Sequence, residues 1–243
     1  MTPSYQRIGN QHFLYDPTML DTVSADLFDP ESWHRAGKVR GEARGRGKAL
    51  FVAGDQRDFV LRHYRRGGLI SKLFTDHYFW QGLQRTRAWA EWHLLQSMFE
   101  QKLPVPKPIA ARVIRHGCAY TADLLTLALP NCESLADLLK KNTWTNEILF
   151  QVGQTIHRFH QFNIYHADLN AHNILVDQAG RIYILDFDRG CKKQEGLWKK
   201  ANLRRLHRSL CKLERTHKST HFSEERWQTL LQGYEDGQSG MDI

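Results

Sequence analysis

The sequence predicts an α+β fold of two lobes: a β-rich amino-terminal lobe with one main helix, and a short, mainly helical carboxy-terminal lobe. Three observations carry that expectation. Up to about residue 128 the apolar residues fall in short β-prone runs punctuated by turn residues. From Ser134 onward they recur at helical spacing. Within the first half, the closely spaced prolines of "LPVPKP" end its one long helical stretch. Lobes over 1–130 and 131–243 follow, acting as one unit, with 41% hydrophobic residues among 243 to supply their cores.

Taken in order, the first 40 residues read as an irregular extension with one short helix near "PESWHRA". "ALFVAG" and "DFVLRHY" are β-prone and flank turn residues at Gly54 and Asp55, which predicts a hairpin. A glycine-punctuated stretch, "GEARGRGK", leads into it. A long helical region precedes "LPVPKP", and "PIAARVIR" and "CAYTADLLTLAL" then read as two strands around Gly117. Leu135, Leu138 and Leu139, then Ile148, Val152, Ile156 and Phe159, follow helix spacing. "ILV" and "RIYILDF" bracket a turn at 177–180, a second small hairpin, and the tail is helical.

Composition narrows the classes of function. No run approaches the ~20 apolar residues of a membrane span, and "MTPSYQRIGNQHF" has no secretory h-region, so a cytoplasmic location is expected. Cys118, Cys132, Cys191 and Cys211 form no Cys-x-x-Cys pair; reduced, buried thiols are expected, and any metal should have oxygen ligands. The net charge of +8, from 34 Lys and Arg against 26 Asp and Glu, points to an anionic partner: nucleic acid, an acidic membrane surface or a phosphorylated substrate.

"HADLNAHN", residues 166–173, supplies the chemistry. The carboxylate of Asp168 and the amide oxygen of Asn173 lie five residues apart, and "ILDFD" adds Asp186 at the end of a buried strand. A loop followed by a tight hairpin returns the chain to its start, so all three can face one point. Such an oxygen-rich site suits Mg²⁺ held together with phosphate oxygens, which suggests phosphoryl transfer and leaves nucleic-acid binding as an explanation of the charge alone.

These residues resemble the protein-kinase-like superfamily, with its His-x-Asp-x-x-x-x-Asn loop and Asp-Phe-Gly metal motif. The resemblance implies ATP as phosphoryl donor, Asp168 as catalytic base, Asn173 and Asp186 as Mg²⁺ ligands and His166 as a brace, in a cleft whose amino-terminal wall, 1–130, covers the nucleotide. Gly45 and Gly47 in "GEARGRGK" would let the backbone approach its phosphates. Ala88, Glu91, Trp92, Leu95 and Met98 follow helix spacing, which sets Glu91 in an apolar stripe where it needs a cation. Strand alternation puts Val60 and Arg62 on one face, and Arg62 stands where the superfamily has its helix-pairing lysine. His63 and Lys48 are the alternative cations. Asp188 replaces the glycine of Asp-Phe-Gly, as a metal-site helper or a turn residue.

Ala167 stands where loop-regulated protein kinases have arginine, and only 57 residues follow Asp186, so a small or lipid-linked acceptor is favoured over a peptide. Within the superfamily, "VLRHYRRGGL", "SLADLL", "HADLNAHNIL", "ILDFDRG" and "NLRRLHRSLCKL" are similar to the kinases of 3-deoxy-D-manno-octulosonic acid (Kdo) in lipopolysaccharide assembly. That similarity implies transfer to a Kdo hydroxyl, the 4-hydroxyl, on a lipid A precursor at the cytoplasmic face of the inner membrane. The basic and aromatic stretch 62–85, with Arg62, Arg65, Arg66 and Lys72 among Leu69, Ile70, Phe74, Tyr78, Phe79 and Trp80, suits an anionic membrane surface. An ordinary lobe helix is its other reading. In "NLRRLHRSLCKL" a stripe of Leu203, Leu206, Leu210 and Leu213 is expected in the core, while Arg204, Arg208 and Lys212 could meet acidic sugar or phosphate. The competing functions are a heptose or aminoglycoside-type kinase, a short atypical protein kinase, and a non-enzymatic kinase-like binding module.

Overall fold

The computed structural model describes residues 2–43, 49–65, 76–217 and 222–239. The chain divides into two units, Met1–Ser97 with Pro106–Ala128, and Met98–Val105 with Leu129–Ile243. The architecture is α+β, with an antiparallel sheet in the first unit and mostly helices in the second.

The first unit opens with a hairpin that the sequence conceals: β1 (Ser4–Ile8) pairs β2 (Gln11–Tyr15) around Gly9, whose φ is +60°. The extension is therefore not irregular throughout. Four of the five residues of β1 face solvent, so the strand carries no apolar alternation to betray it. β2 buries Phe13 and Leu14, and the Phe13 ring lies 5.9 Å from that of Phe28. The short helix expected near "PESWHRA" is α1 (Pro30–Arg35). Asp29 caps it by accepting from the N–H groups of Glu31 and Ser32, with Pro30 at the first helical position.

β3 (Val39–Ala43), β4 (Ala49–Ala53) and β5 (Asp58–His63) form an antiparallel set with Phe51 opposite Val60, as the turn at Gly54 predicts. Residues 44–48 of the glycine-rich stretch, including Gly45, Gly47 and Lys48, lie outside the described residues, as do Arg66, Leu69, Ile70, Lys72 and Phe74. The described end of the 62–85 stretch is not a helix. β6 (Tyr78–Phe79) pairs a later strand, a 3-10 turn spans Leu83–Arg85, and Gly82 at φ +99° breaks any helical continuation. Helix α2 (Arg87–Glu100) follows. β7 (Pro108–His116) and β8 (Ala119–Leu127) form a hairpin at Gly117, where a positive φ of +61° at the first loop position suits a two-residue turn. The sheet order is β1-β2-β7-β8-β5-β4-β3, with β6 on β8. One apolar cluster of Phe13, Phe28, Leu50, Phe59, Leu61, Ile109 and Leu125 is buried in this unit.

In the second unit β9 (Cys132–Ser134) leads into α3 (Leu135–Lys141), whose N-cap is Ser134. α4 (Asn146–Gln161) begins at Thr145, whose hydroxyl accepts from the Ile148 N–H at 3.2 Å. β10 (Ile164–Tyr165) precedes the "HADLNAHN" loop, and β11 (Ile174–Asp177) and β12 (Ile182–Ile184) form the expected hairpin, with β9 on the free edge of β11. β13 (Cys191–Lys192) returns to pair β10 before α5 (Trp198–Thr216) and α6 (Glu224–Ser239). The leucine stripe of α5 is buried as predicted. α4 and α6 meet at backbone distance: a Cβ on Gly153 would lie 2.0 Å from the Leu230 carbonyl oxygen, and one on Gly233 2.0 Å from that of Phe150. All four cysteines are free, but none is buried. Cys118 and Cys191 are exposed at a turn and in a two-residue strand, and Cys132 and Cys211 are half-buried.

Candidate active site

The loop after β10 is held by its own histidine. His166 is buried, accepts the Asp168 N–H at Nδ1 (3.0 Å) and therefore donates from Nε2 to the Leu185 carbonyl at 2.8 Å. Burial holds its pKa below the ordinary value, in keeping with a neutral ring in one tautomer. Asn173 receives the Leu185 N–H at its carbonyl (2.8 Å), so two hydrogen bonds to residue 185 fix the loop next to Asp186. Asp168, Asn173 and Asp186 are thereby brought to the open end of the β11–β12 hairpin.

Each of the three has a distinct setting. The Asn173 side chain donates from Nδ2 to the Asp168 carbonyl at 2.9 Å. Because that contact requires a donor, the amide orientation is fixed and Oδ1 is the acceptor end of the side chain. Asp186 is half-buried and left-handed, at φ +62°, a conformation that aspartate tolerates better than most residues. Asp168 projects into solvent, and Arg205 of α5 grips its Oδ1 with Nε at 2.8 Å and with Nη2. Asp188 occupies the second position of a turn closed by the Gly190 N–H on the Phe187 carbonyl at 2.7 Å.

Among the described residues no three or more His, Cys, Asp or Glu side chains gather into a metal cage. The donor set present, one carboxylate and one amide oxygen, still fits Mg²⁺, which commonly takes one or two protein ligands and completes its shell with phosphate oxygens and water.

In the first unit Arg62 and Glu91 meet as the two periodicities predict. Arg62 Nη2 lies 2.5 Å from Glu91 Oε1, and the carboxylate is only 2% exposed. Tyr64, directly after the end of β5 and two residues on from Arg62, donates its hydroxyl to Glu91 Oε2 at 2.5 Å. The alternative cation His63 points to the other face. Its Nδ1 lies 2.7 Å from Asp123, and that contact, ahead of the opposing effect of burial, raises its pKa. Arg112 also holds Asp123, from Nε at 2.8 Å. Sequence reasoning passes over Tyr64, Asn202 and Arg205. Only Asn202 leaves a signal, as a polar residue inside the apolar stripe of α5.

The lipopolysaccharide kinase (Kdo/WaaP) family matches residues 30–234. A 3-deoxy-D-manno-octulosonic acid kinase of Photobacterium profundum is 43% identical over 227 residues, which cover 93% of this chain and 95% of that protein. Enzymes of the same name from Vibrio vulnificus and Haemophilus influenzae are 42% and 40% identical, over 96% and 93% of this chain and 98% and 96% of their own lengths. With a histidine-braced loop that carries an aspartate and an asparagine beside Asp186, and with relatives matched over more than nine-tenths of its length, this chain belongs to the lipopolysaccharide kinase (Kdo/WaaP) family.

Proposed function

We propose that the chain is an ATP-dependent phosphotransferase that phosphorylates the 4-hydroxyl of Kdo on a lipid A precursor, in lipopolysaccharide core biosynthesis. The observation that carries the proposal is the loop of His166, Asp168 and Asn173 fastened to Leu185 beside Asp186. The names of its relatives support Kdo as the acceptor sugar.

Asp168 is the base. It orients the acceptor hydroxyl and takes its proton as the oxygen attacks the γ-phosphorus, while the bond to the leaving ADP breaks. Asn173 Oδ1 and the Asp186 carboxylate hold Mg²⁺, which when bound offsets charge on the phosphate oxygens. Arg62, oriented by Glu91, binds ATP phosphate through its guanidinium. Gly45 and Gly47 are the residues assigned to the ATP phosphates. Residues 1–130 serve the nucleotide and 131–243 the transfer chemistry, as one catalytic unit.

The acceptor is reached from an anionic membrane surface, with the chain peripheral on the cytoplasmic face of the inner membrane. No described helix is long and apolar enough to cross a membrane. Phe79 is 67% exposed, and Arg65, Arg204, Arg208 and Lys212 face solvent.

Mass spectrometry of products after incubation with ATP, Mg²⁺ and a panel of Kdo-bearing lipids and free sugars tests the acceptor. Phosphate on a free sugar in preference to Kdo-lipid would overturn it. Asp168→Asn and Asp186→Asn should each abolish most turnover, and only Asp186→Asn should weaken Mg²⁺-dependent nucleotide binding. Near-normal transfer by either removes the site assignment. Replacing Arg65, Arg66 and Lys72 by serine should reduce sedimentation with anionic vesicles, most at low salt, and normal sedimentation would remove the membrane surface from the proposal.

A further inference from the structure

Three residues of α5 touch the catalytic loop at successive turns of the helix. Asn202 Oδ1 accepts the His166 N–H at 3.2 Å, and its Nδ2 donates to the His166 carbonyl at 2.8 Å. Arg205 holds the Asp168 carboxylate. Ser209 Oγ accepts the Ala171 N–H at 3.3 Å. Spacings of three and four residues put all three on one face, so the loop runs along α5 as along a template. Asn202 and Ser209 fix its backbone. Arg205 alone reaches the side chain on which the proposed chemistry depends.

Both contacts of Arg205 with the carboxylate, from Nε at 2.8 Å and from Nη2, converge on one oxygen, Oδ1. Among the described residues Oδ2 accepts no hydrogen bond. A fork on one oxygen restricts rotation about the last bond of the aspartate and leaves the other oxygen outside the pair. Fold stability does not account for the pair, since its side chains are 46% and 52% exposed and pairs so exposed contribute little.

We infer that Arg205 is a positioning residue: it locks the Asp168 carboxylate with Oδ2 presented to the acceptor hydroxyl. This rests on Asp168 being the base. The neighbouring cations Arg204 and Arg208 are exposed on the helix and make no such contact with the loop.

The test is steady-state transfer by the full chain with ATP, Mg²⁺ and a Kdo-bearing lipid A precursor. Arg205→Met should lower kcat about a hundredfold, the scale of a misplaced catalytic group, and leave acceptor KM, nucleotide affinity and melting temperature unchanged. Because the site is open to solvent, guanidinium ion in the assay should restore part of the lost rate. Arg205→Lys, with one compact donor group, should recover only part of kcat. In an Asp168→Asn background Arg205→Met should cost nothing further.

A raised acceptor KM at unchanged kcat would overturn the inference, since Arg205 would then bind the acceptor. A fallen melting temperature with no guanidinium rescue would overturn it in favour of a structural role. Full activity in Arg205→Met, with Asp168→Asn inactive, would sink this inference alone. Near-normal turnover by Asp168→Asn would sink the assignment of the base and this inference with it.

Discussion

Replacing Arg62 by methionine should destabilise the protein by about 3 to 5 kcal/mol, the cost of leaving a buried charge without its partner. The Glu91 carboxylate is 2% exposed, the guanidinium is 23% exposed, and they meet at 2.5 Å. At an effective dielectric near 20, two unit charges about 4 Å apart interact by about 4 kcal/mol, which agrees with that range. Methionine keeps the apolar stem of the side chain, so the loss reports the charge. Glu91→Gln should cost less, roughly 1 to 3 kcal/mol, because Arg62 retains some water and the amide can still bond Tyr64. The double variant Arg62→Met, Glu91→Leu should be more stable than the sum of its single changes requires, by about 2 kcal/mol or more, since no charge is then left buried. Urea denaturation reads all of this as shifts in midpoint at constant slope. If the single effects add to within about 0.5 kcal/mol, the two groups are not coupled and the argument from burial fails. The Arg62 variant should also lose ATP affinity.

The pH dependence of stability should carry a mark of His160. Its ring is buried beside the Tyr234 hydroxyl (2.8 Å), and burial lowers its pKa from 6.5 to about 4. The unfolded chain takes up that proton first, so this contribution is complete above pH 6.5 and is lost as pH falls towards 4, by roughly 3 kcal/mol. Denaturation midpoints measured across that window should flatten in His160→Gln, and an unaltered slope would exclude this ring as the source. Gly153→Ala should destabilise by about 3 kcal/mol or more, through overpacking against α6, although alanine in an open helix would stabilise it by about 1 kcal/mol. A melting temperature at or above that of the parent would show that α4 and α6 can part cheaply.

What could be read from the sequence was what chemistry or periodicity fixes locally. His166, Asp168, Asn173 and Asp186 stand at spacings set by a loop and a hairpin, and the structure brings them to one place. Arg62 and Glu91 were legible together because strand and helix periodicities each assigned a face. Arg205 was not, because its role depends on where α5 packs, more than thirty residues along the chain from Asp168, and a charged residue on a helix looks the same whether it meets water or a carboxylate. Asn202 offered more: a buried amide among Leu203, Leu206 and Leu210 must find partners, and its partners are the backbone of His166. Gly153 and Gly233, inside helices, signalled a close approach without saying of what. β9, β10 and β13, at two or three residues each, are too short to leave a pattern.

The opening hairpin bears on how the protein behaves in concentrated solution. β7 runs through Ile109, Ala110, Ala111 and Val113, all buried, and β2 occupies the backbone row along its outer side. A chain stripped of β1 and β2 would present that row bare, beside a β-prone apolar run, as a template on which another chain could lay a strand. β1 is a safer outermost strand, since Gln6 and Arg7 on it face water. Shortened forms of the protein are therefore expected to precipitate, or to pair through β7, while the loop of His166 to Asn173, which belongs to the other unit, keeps its hydrogen bonds. Light scattering of a chain begun after Tyr15 would separate that fate from a loss of chemistry.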